Sequence, residues 1–393
     1  MKSEWNIGTI SEVCSLVTDG SHYSPKSCDN GEYMVSVKDF KGFGFDFSNC
    51  KHISSSDYEK MKASGCIPEC GDILIGKDGA RFFEDIIIYN QPEKPALLSS
   101  IAILRCNSDI ILPQFLYYIC KNPVFKKDVR DNYGSGSAIP RIVLKDFKRM
   151  PISYPDLDEQ RRIVASLVAI DDRILLNTAI NENLESQAQA IFKSWFVDFE
   201  PFGGVMPENW KIGMIKDIIE LHDSKRIPLS GSEREKMDKI YPYYGATSCM
   251  DYVDNYIFDG KYLLLGEDGT VIDKNGYPIL QYVEGKFWVN NHAHIITGKL
   301  GYTVEILYLL FKQTNVKHIV TGAVQPKISQ ANLKKVPVTI PNIKDLDAFN
   351  NIIQPIFAMI RKNRNENEKL ALLRDTLLPK LMKGEIDVSE VKI

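Results

Sequence analysis

Residues Gly134–Ile152 read GSGSAIPRIVLKDFKRMPI, and residues Val320–Val338 read VTGAVQPKISQANLKKVPV. With Pro140 set on Pro326, the two stretches align without a gap at a shift of 186 residues. Arg141 then meets Lys327, Ile142 meets Ile328 and Asp146 meets Asn332. Lys148-Arg149 meets Lys334-Lys335, and Pro151 meets Pro337. A gap-free match of this length points to duplication, and an internal repeat decides the architecture before any local assignment.

The repeat continues beyond the proline phrase. Between Pro155 and Pro201 there is neither proline nor glycine, which predicts one long helix. Its seam runs through Ile163, Leu167, Ile170, Ile174, Asn177, Asn181, Leu184, Ala188, Ile191 and Trp195. Alternating steps of four and three are the spacing of a coiled coil. The same shift gives Phe349, Ile353, Ile356, Ile360, Asn363, Asn367, Leu370, Arg374, Leu377 and Leu381. Asparagine at a seam position costs stability and is tolerated where it sets register, because a buried amide needs a partner. The matching pairs Asn177/Asn181 and Asn363/Asn367 therefore predict two helices paired antiparallel, with the amides meeting at the centre. The alternative is that each helix packs on its own domain with its asparagines in water. Pro355 predicts a kink in the second helix or a delayed start.

The starts of the halves match as well. EWNIGTISEV at Glu4 resembles NWKIGMIKDI at Asn209, with Trp5 on Trp210 and Gly8 on Gly213. GDILIGKDGA (Gly71 to Ala80) resembles GKYLLLGEDGT (Gly260 to Thr270). Each is an apolar run ending in a charged, glycine-containing turn, the pattern of a strand entering an exposed loop. The halves share their ends and differ by 19 residues in the middle. The expected fold is α+β: two variable modules in tandem repeat, separated by two long helices that form an antiparallel coiled coil. The boundaries read from the sequence are 1–155 for the first domain, 156–200 for the central helix, 201–341 for the second domain and 342–393 for the last helix.

A chain of 393 residues with 44% hydrophobic and 25% charged residues has the make-up of a soluble globular protein. No apolar run approaches the ~20 residues of a membrane span, and Met1-Lys-Ser-Glu-Trp5 lacks the core of a signal peptide, so a cytoplasmic protein is expected. Cys66 and Cys70 are not followed by a second pair at zinc-like spacing, and no metal site is expected. A net charge of −3 argues against binding nucleic acid by bulk charge. From Lys121 to Arg149, however, eight bases face three acids, a local +5.

A helix from Asp158 to Phe196 would be about 58 Å long, which spans on the order of 17 base pairs of B-DNA. Two unequal modules on such a ruler would read two unequal half-sites, where a symmetric dimer demands a palindrome. Here the sequence resembles the specificity (S) subunits of Type I restriction-modification systems, over essentially the whole chain. DGSHYSP (Asp19 to Pro25) followed by GDIL looks like one class of their target recognition domain. YPYYGATS (Tyr241 to Ser248) with IFDGKYLLLGEDG looks like another. LDEQRRIVASLVAIDDRI (Leu157 to Ile174) and IFKSWFVDFEPF (Ile191 to Phe202) are similar to their central spacer helix. The second helix departs from that text, with KDLDAFNNIIQPI in the corresponding place.

The resemblance implies a non-catalytic subunit that binds double-stranded DNA through two α/β target recognition domains in tandem repeat and docks two methyltransferase subunits. Two endonuclease/translocase subunits would join in the full complex. S-adenosylmethionine, ATP and Mg would be bound by those partners, leaving this chain without a cofactor. The candidate DNA-binding residues follow from exposed polar loops: Lys77, Asp78, Arg81, Tyr133, Ser135, Ser137 and Arg141 in the first module. In the second they are Lys225, Arg226, Tyr243, Tyr244, Thr247, Glu267, Asp268, Thr270, Thr321 and Lys327. His292 and His294 read as a structural pair, with no third metal ligand evident. Trp195, Phe196, Phe199 and Phe202 are a candidate partner-binding surface, the alternative being that they pack the helix onto the second module.

Two other readings compete. The first is an enzyme: a complete adenine methyltransferase would need a glycine-rich cofactor loop and an Asn/Asp-Pro-Pro-aromatic tetrad, and an ATP motor a P-loop, and none of these is present. A coiled-coil assembly scaffold without sequence specificity would explain the helices but not two large modules with shared ends and different interiors.

Overall fold

The computed structural model describes residues 5–135, 140–322, 324–389 and 391. The chain divides into two compact units: residues up to Leu175 together with Glu366 onward, and Leu176–Asn365. The division falls inside both long helices, Leu157–Phe196 and Ile343–Leu381, so each unit owns a segment of each helix. The second helix begins at Ile343 and runs through Pro355 without a delayed start. No helix among the described residues is long and apolar enough to cross a membrane.

In the first unit a four-stranded antiparallel sheet has the order Cys14–Asp19, Ile101–Cys106, Ile73–Gly76, Ile86–Ile88. In the second unit the same order recurs as Ile219–Leu221, Ala293–Gly298, Phe258–Gly266, Leu280–Val289. There the sheet continues into Tyr241–Tyr244 and Cys249–Val253. Residues 73–75 and 263–265 of the GDIL-type strands are apolar and buried because both faces are covered there. Ile73 and Ile75 enter the core beneath the helices while Leu74 enters a second one with Tyr89 and Phe45. Leu263 and Leu265 divide from Leu264 in the same way.

The matching chain starts form ribbons with the matching proline phrases: Asn6–Thr9 pairs with Pro151–Tyr154, and Lys211–Met214 pairs with Pro337–Ile340. Each ribbon's tryptophan holds the start of a long helix. Trp5 Nε1 donates to Glu159 Oε1 at 3.3 Å, and Trp210 Nε1 to Asp345 Oδ2 at 2.8 Å. Glu159 and Asp345 are related by the repeat shift of 186.

The helix segments pair antiparallel within each unit. In the first, Asp171 accepts from Arg374 at 2.8 Å and Arg173 bonds Glu366 at 2.9 Å. In the second, Phe192 and Phe196 pack on Phe349. The asparagines obey the repeat: Asn181 Nδ2 donates to the Ile360 carbonyl and Asn367 Nδ2 to the Ile174 carbonyl, both at 3.2 Å. Asn363, itself buried like Asn177, donates to Asn181 Oδ1 at 2.9 Å. Asn181→Ala strips the buried Asn363 of this acceptor. The expected cost is ~1–3 kcal/mol, read as a lower denaturation midpoint; an unchanged midpoint would show that the amides bond water instead.

Candidate nucleic-acid interface

The repeated proline phrase is explained by what it clamps. In the first unit the turn after strand Ile73–Gly76 lies against Ser135 and Pro140–Ile142. Gly79 N donates to the Pro140 carbonyl at 2.9 Å, and Ile142 N to the Lys77 carbonyl at 2.9 Å. Ser135 and Arg141 exchange main-chain hydrogen bonds, both 2.8 Å. In the second unit Gly269 N donates to Pro326 O at 3.0 Å and Ile328 N to Glu267 O at 2.8 Å. Thr321 and Lys327 exchange bonds of 2.9 and 2.8 Å. Gly79 and Gly269 have φ of 94° and 86°, a left-handed conformation that glycine adopts without strain. Each unit therefore presents the same main-chain clamp.

The side chains beneath the clamps differ. In the first unit Lys77 is 6% exposed, with Nζ 3.3 Å from Asp19 Oδ2 and 3.6 Å from Asp78 Oδ1. In the second unit the place of Lys77 is taken by Glu267, which accepts from Arg226 at 2.6 Å and pairs with Lys327 at 3.2 Å. Asp223, in the place of Asp19, accepts from Ile295 N at 2.9 Å and from Gln330 Nε2 at 2.5 Å. His294 Nδ1 lies 2.6 Å from Asp223 Oδ2, and its Nε2 lies 2.7 Å from the Ile328 carbonyl. A carbonyl only accepts, so Nε2 carries a proton. Burial pushes the Asp223 and Glu267 carboxyls up. Hydrogen bonds from His294 to Asp223 and from Arg226 to Glu267, with the surrounding positive charge, outweigh burial and hold both below the usual carboxylate range.

Ligand atoms of Asp223, Glu267 and His294 lie within 4.8 Å of one another. Arg226 and Lys327 already neutralise these carboxylates, which makes the cluster an ion-paired strut.

The candidates read from sequence thus separate by exposure. Ser135, Arg141, Thr247, Thr270, Thr321, Lys225 and Lys327 are exposed, as is Arg81, which pairs with Asp85 at 2.9 Å. Asp78 and Asp268 sit half-buried at the clamp turns. Lys77, Arg226 and Glu267 face inward as struts. Tyr243 is buried, its hydroxyl accepting from Leu229 N at 3.0 Å, and Tyr244 packs on Phe287. Tyr133 lies under the Arg149 guanidinium. Ser137 falls outside the described residues. Sequence reasoning does not single out Asp19, Asp223 or Ser100, although Asp19 opens the DGSHYSP motif. An acid next to a glycine turn at a strand end is the available signal.

Around the first clamp, Lys126 and Arg130 share Glu84, and Arg149 pairs with Asp146. Lys127, Arg141, Lys145 and Lys148 are exposed and make no ion pair among the described residues. These form the usable part of the basic run. The aromatic cluster at the end of the first long helix is not a free surface: Phe196, Phe199 and Phe202 pack on Trp210, and Trp195 on Phe349. The rings fasten the helix to the second module.

Known proteins agree with the duplicated design. The chain is 27% identical to the type I restriction enzyme MjaIX specificity subunit of Methanocaldococcus jannaschii, over 72% of this chain and 71% of that one. It is 22% identical to the type I restriction enzyme HindI specificity subunit of Haemophilus influenzae, over 98% of this chain and 99% of that one. Its fold matches the crystal structure of a Type-I restriction-modification system S subunit from M. genitalium, with a TM-score of 0.54, 16% identity and 96% of each chain covered. The family model for the Type I restriction modification DNA specificity domain matches twice, over residues 2–186 and 207–373. The two clamped modules are two copies of that domain, and the chain belongs to the Type I restriction-modification specificity family.

Proposed function

We propose that this chain reads an asymmetric, bipartite site on double-stranded DNA, one half-site per clamp, and performs no chemistry itself. The observation that carries the reading is a main-chain clamp repeated bond for bond whose side chains differ between the two units. A common scaffold with different edges is what two unequal half-sites require, since phosphate contacts position and base contacts specify. Exposed Arg141, which makes no ion pair among the described residues, suits phosphate; Lys327, at the matching place, is exposed but already pairs with Glu267 at 3.2 Å.

In this reading two methyltransferase subunits dock on the chain, and two endonuclease/translocase subunits complete the assembly in the cytoplasm. Adenine methylation with S-adenosylmethionine and ATP-driven cleavage with Mg belong to those partners. Their charge also helps an acidic chain to hold DNA.

The test is selection from random duplexes, using the chain co-expressed with a methyltransferase encoded beside it. A motif of two unlike halves with a fixed unread gap is the expected result, with no turnover by the chain alone. No enrichment, or one contiguous site, would leave only the scaffold reading.

A further inference from the structure

The two clamps differ at one further spot. Lys77 N donates to the Ser100 carbonyl at 2.9 Å, and Glu267 N donates to the His292 carbonyl at 2.8 Å. Ser100 and His292 therefore hold the same place beside the turn, as do Asp78 and Asp268. In the second unit His292 Nδ1 lies 2.5 Å from Asp268 Oδ1, so that carboxylate is occupied from within the protein. In the first unit the corresponding atoms, Asp78 Oδ1 and Ser100 Oγ, are both shielded from water, and neither has a hydrogen-bond partner among the described residues. The cation beside Asp78, Lys77, stands off at 3.6 Å. Unlike Asp268, the Asp78 carboxylate is held by no hydrogen-bond donor among the described residues, and the part of it that is still exposed is open to a donor from outside the clamp.

The Asp78 side chain is still 30% exposed, and its main chain bridges to Arg141, an exposed guanidinium without an ion pair among the described residues. The pair is suited to one ligand. Arginine takes a phosphate. A carboxylate is repelled by phosphates and can only accept hydrogen bonds, so on a DNA-facing loop it meets an exocyclic amino group. In the major groove these are adenine N6 and cytosine N4; guanine and thymine offer only acceptors there.

We propose that Asp78 is a specificity-determining residue of the first module, reading an adenine or cytosine amino group in the major groove, with Lys77 as its buried counter-ion. In the second module the same place is filled by the Asp268–His292 pair, and its reading differs accordingly. This inference rests on the reading that the clamps face DNA.

The experiment is motif selection with the chain–methyltransferase complex, comparing wild type with Asp78→Ala and Ser100→His. Ser100→His copies the second module and occupies the carboxylate from within. Wild type should show one first-half position restricted to adenine or cytosine on one strand. Both variants should lose ~5–150-fold discrimination at that position and leave the second half-site untouched. Melting temperature monitors folding in each case. Unchanged first half-sites in both variants, or a loss spread evenly over all sequences, would overturn the role of Asp78 while a bipartite motif kept the DNA reading intact. Absence of any bipartite motif in wild type would remove both.

Discussion

Replacing Glu305 by alanine will destabilise the second module more than any change at its surface. Glu305 lies in the helix Val304–Gln313 and is fully buried. It accepts from Lys261 at 2.7 Å, Tyr282 at 2.8 Å, Arg361 at 3.0 Å and Gln354 at 3.2 Å. Two of these donors, Gln354 and Arg361, come from the long helix Ile343–Leu381. The carboxylate thus joins the helix to strands Phe258–Gly266 and Leu280–Val289. Removing it leaves Arg361, largely buried, with the Tyr282 hydroxyl at 3.0 Å and the half-exposed Glu284 carboxylate at 3.4 Å. Breaking a buried pair from one side costs ~3–5 kcal/mol. For a unit of this size that corresponds to a fall of about 10 °C in melting temperature.

The pH dependence has a definite sign. Burial pushes the Glu305 carboxyl up, but Lys261 and the other donors outweigh it and hold the group at about 2, against an ordinary 4.5. A carboxyl lowered by folding stabilises fully above its unfolded value. That stabilisation is lost as pH falls from about 4.5 towards about 2. Glu305→Gln should melt lower at neutral pH and lose less stability than wild type across this window. Parallel acid curves for the two proteins would refute the network.

The second large effect is expected on DNA. Arg141, Lys145 and Lys148 are exposed and carry no ion pair among the described residues, so no described carboxylate competes for them. Substituting all three with alanine should weaken binding to every sequence alike. The slope of log affinity against log salt should shrink by ~0.9 for each phosphate no longer neutralised, close to ~3 in total. Titrations of the methyltransferase complex between about 50 and 200 mM salt would measure it. The recognised motif should survive. A changed motif with an unchanged slope would mean that these residues touch bases.

Much of this design is visible in the linear sequence. The shift of 186 residues relates Asn181 to Asn367 and Glu159 to Asp345, and in each case the hydrogen bonds obey it. Such features are legible because they depend on local periodicity. A seam with steps of four and three, interrupted by amides at matching places, has few solutions other than paired helices. The strand-to-turn reading of GDILIGKDGA and GKYLLLGEDGT is legible for the same reason.

The functional side chains are less legible. Lys77 and Glu267 stand on loops rich in glycine and charge, and by type they resemble DNA-touching residues as much as Asp78 does. Their inward orientation depends on Asp19 and Arg226, residues 58 and 41 positions away in the chain. The aromatic cluster from Trp195 to Phe202 leaves two readings open for a similar reason. Its partner Trp210 lies beyond a turn where Phe199 adopts a left-handed φ of 53°.

By itself, then, the sequence determined duplication, the long helices and their pairing. These follow from spacing along one chain. Only the tertiary structure decided which charges face inward, that the proline phrase clamps the turn, and that Asp78 has no counterpart to the histidine beside Asp268. The physical reason is that a charged side chain's role is set by the partners folding brings to it, and those partners come from distant segments.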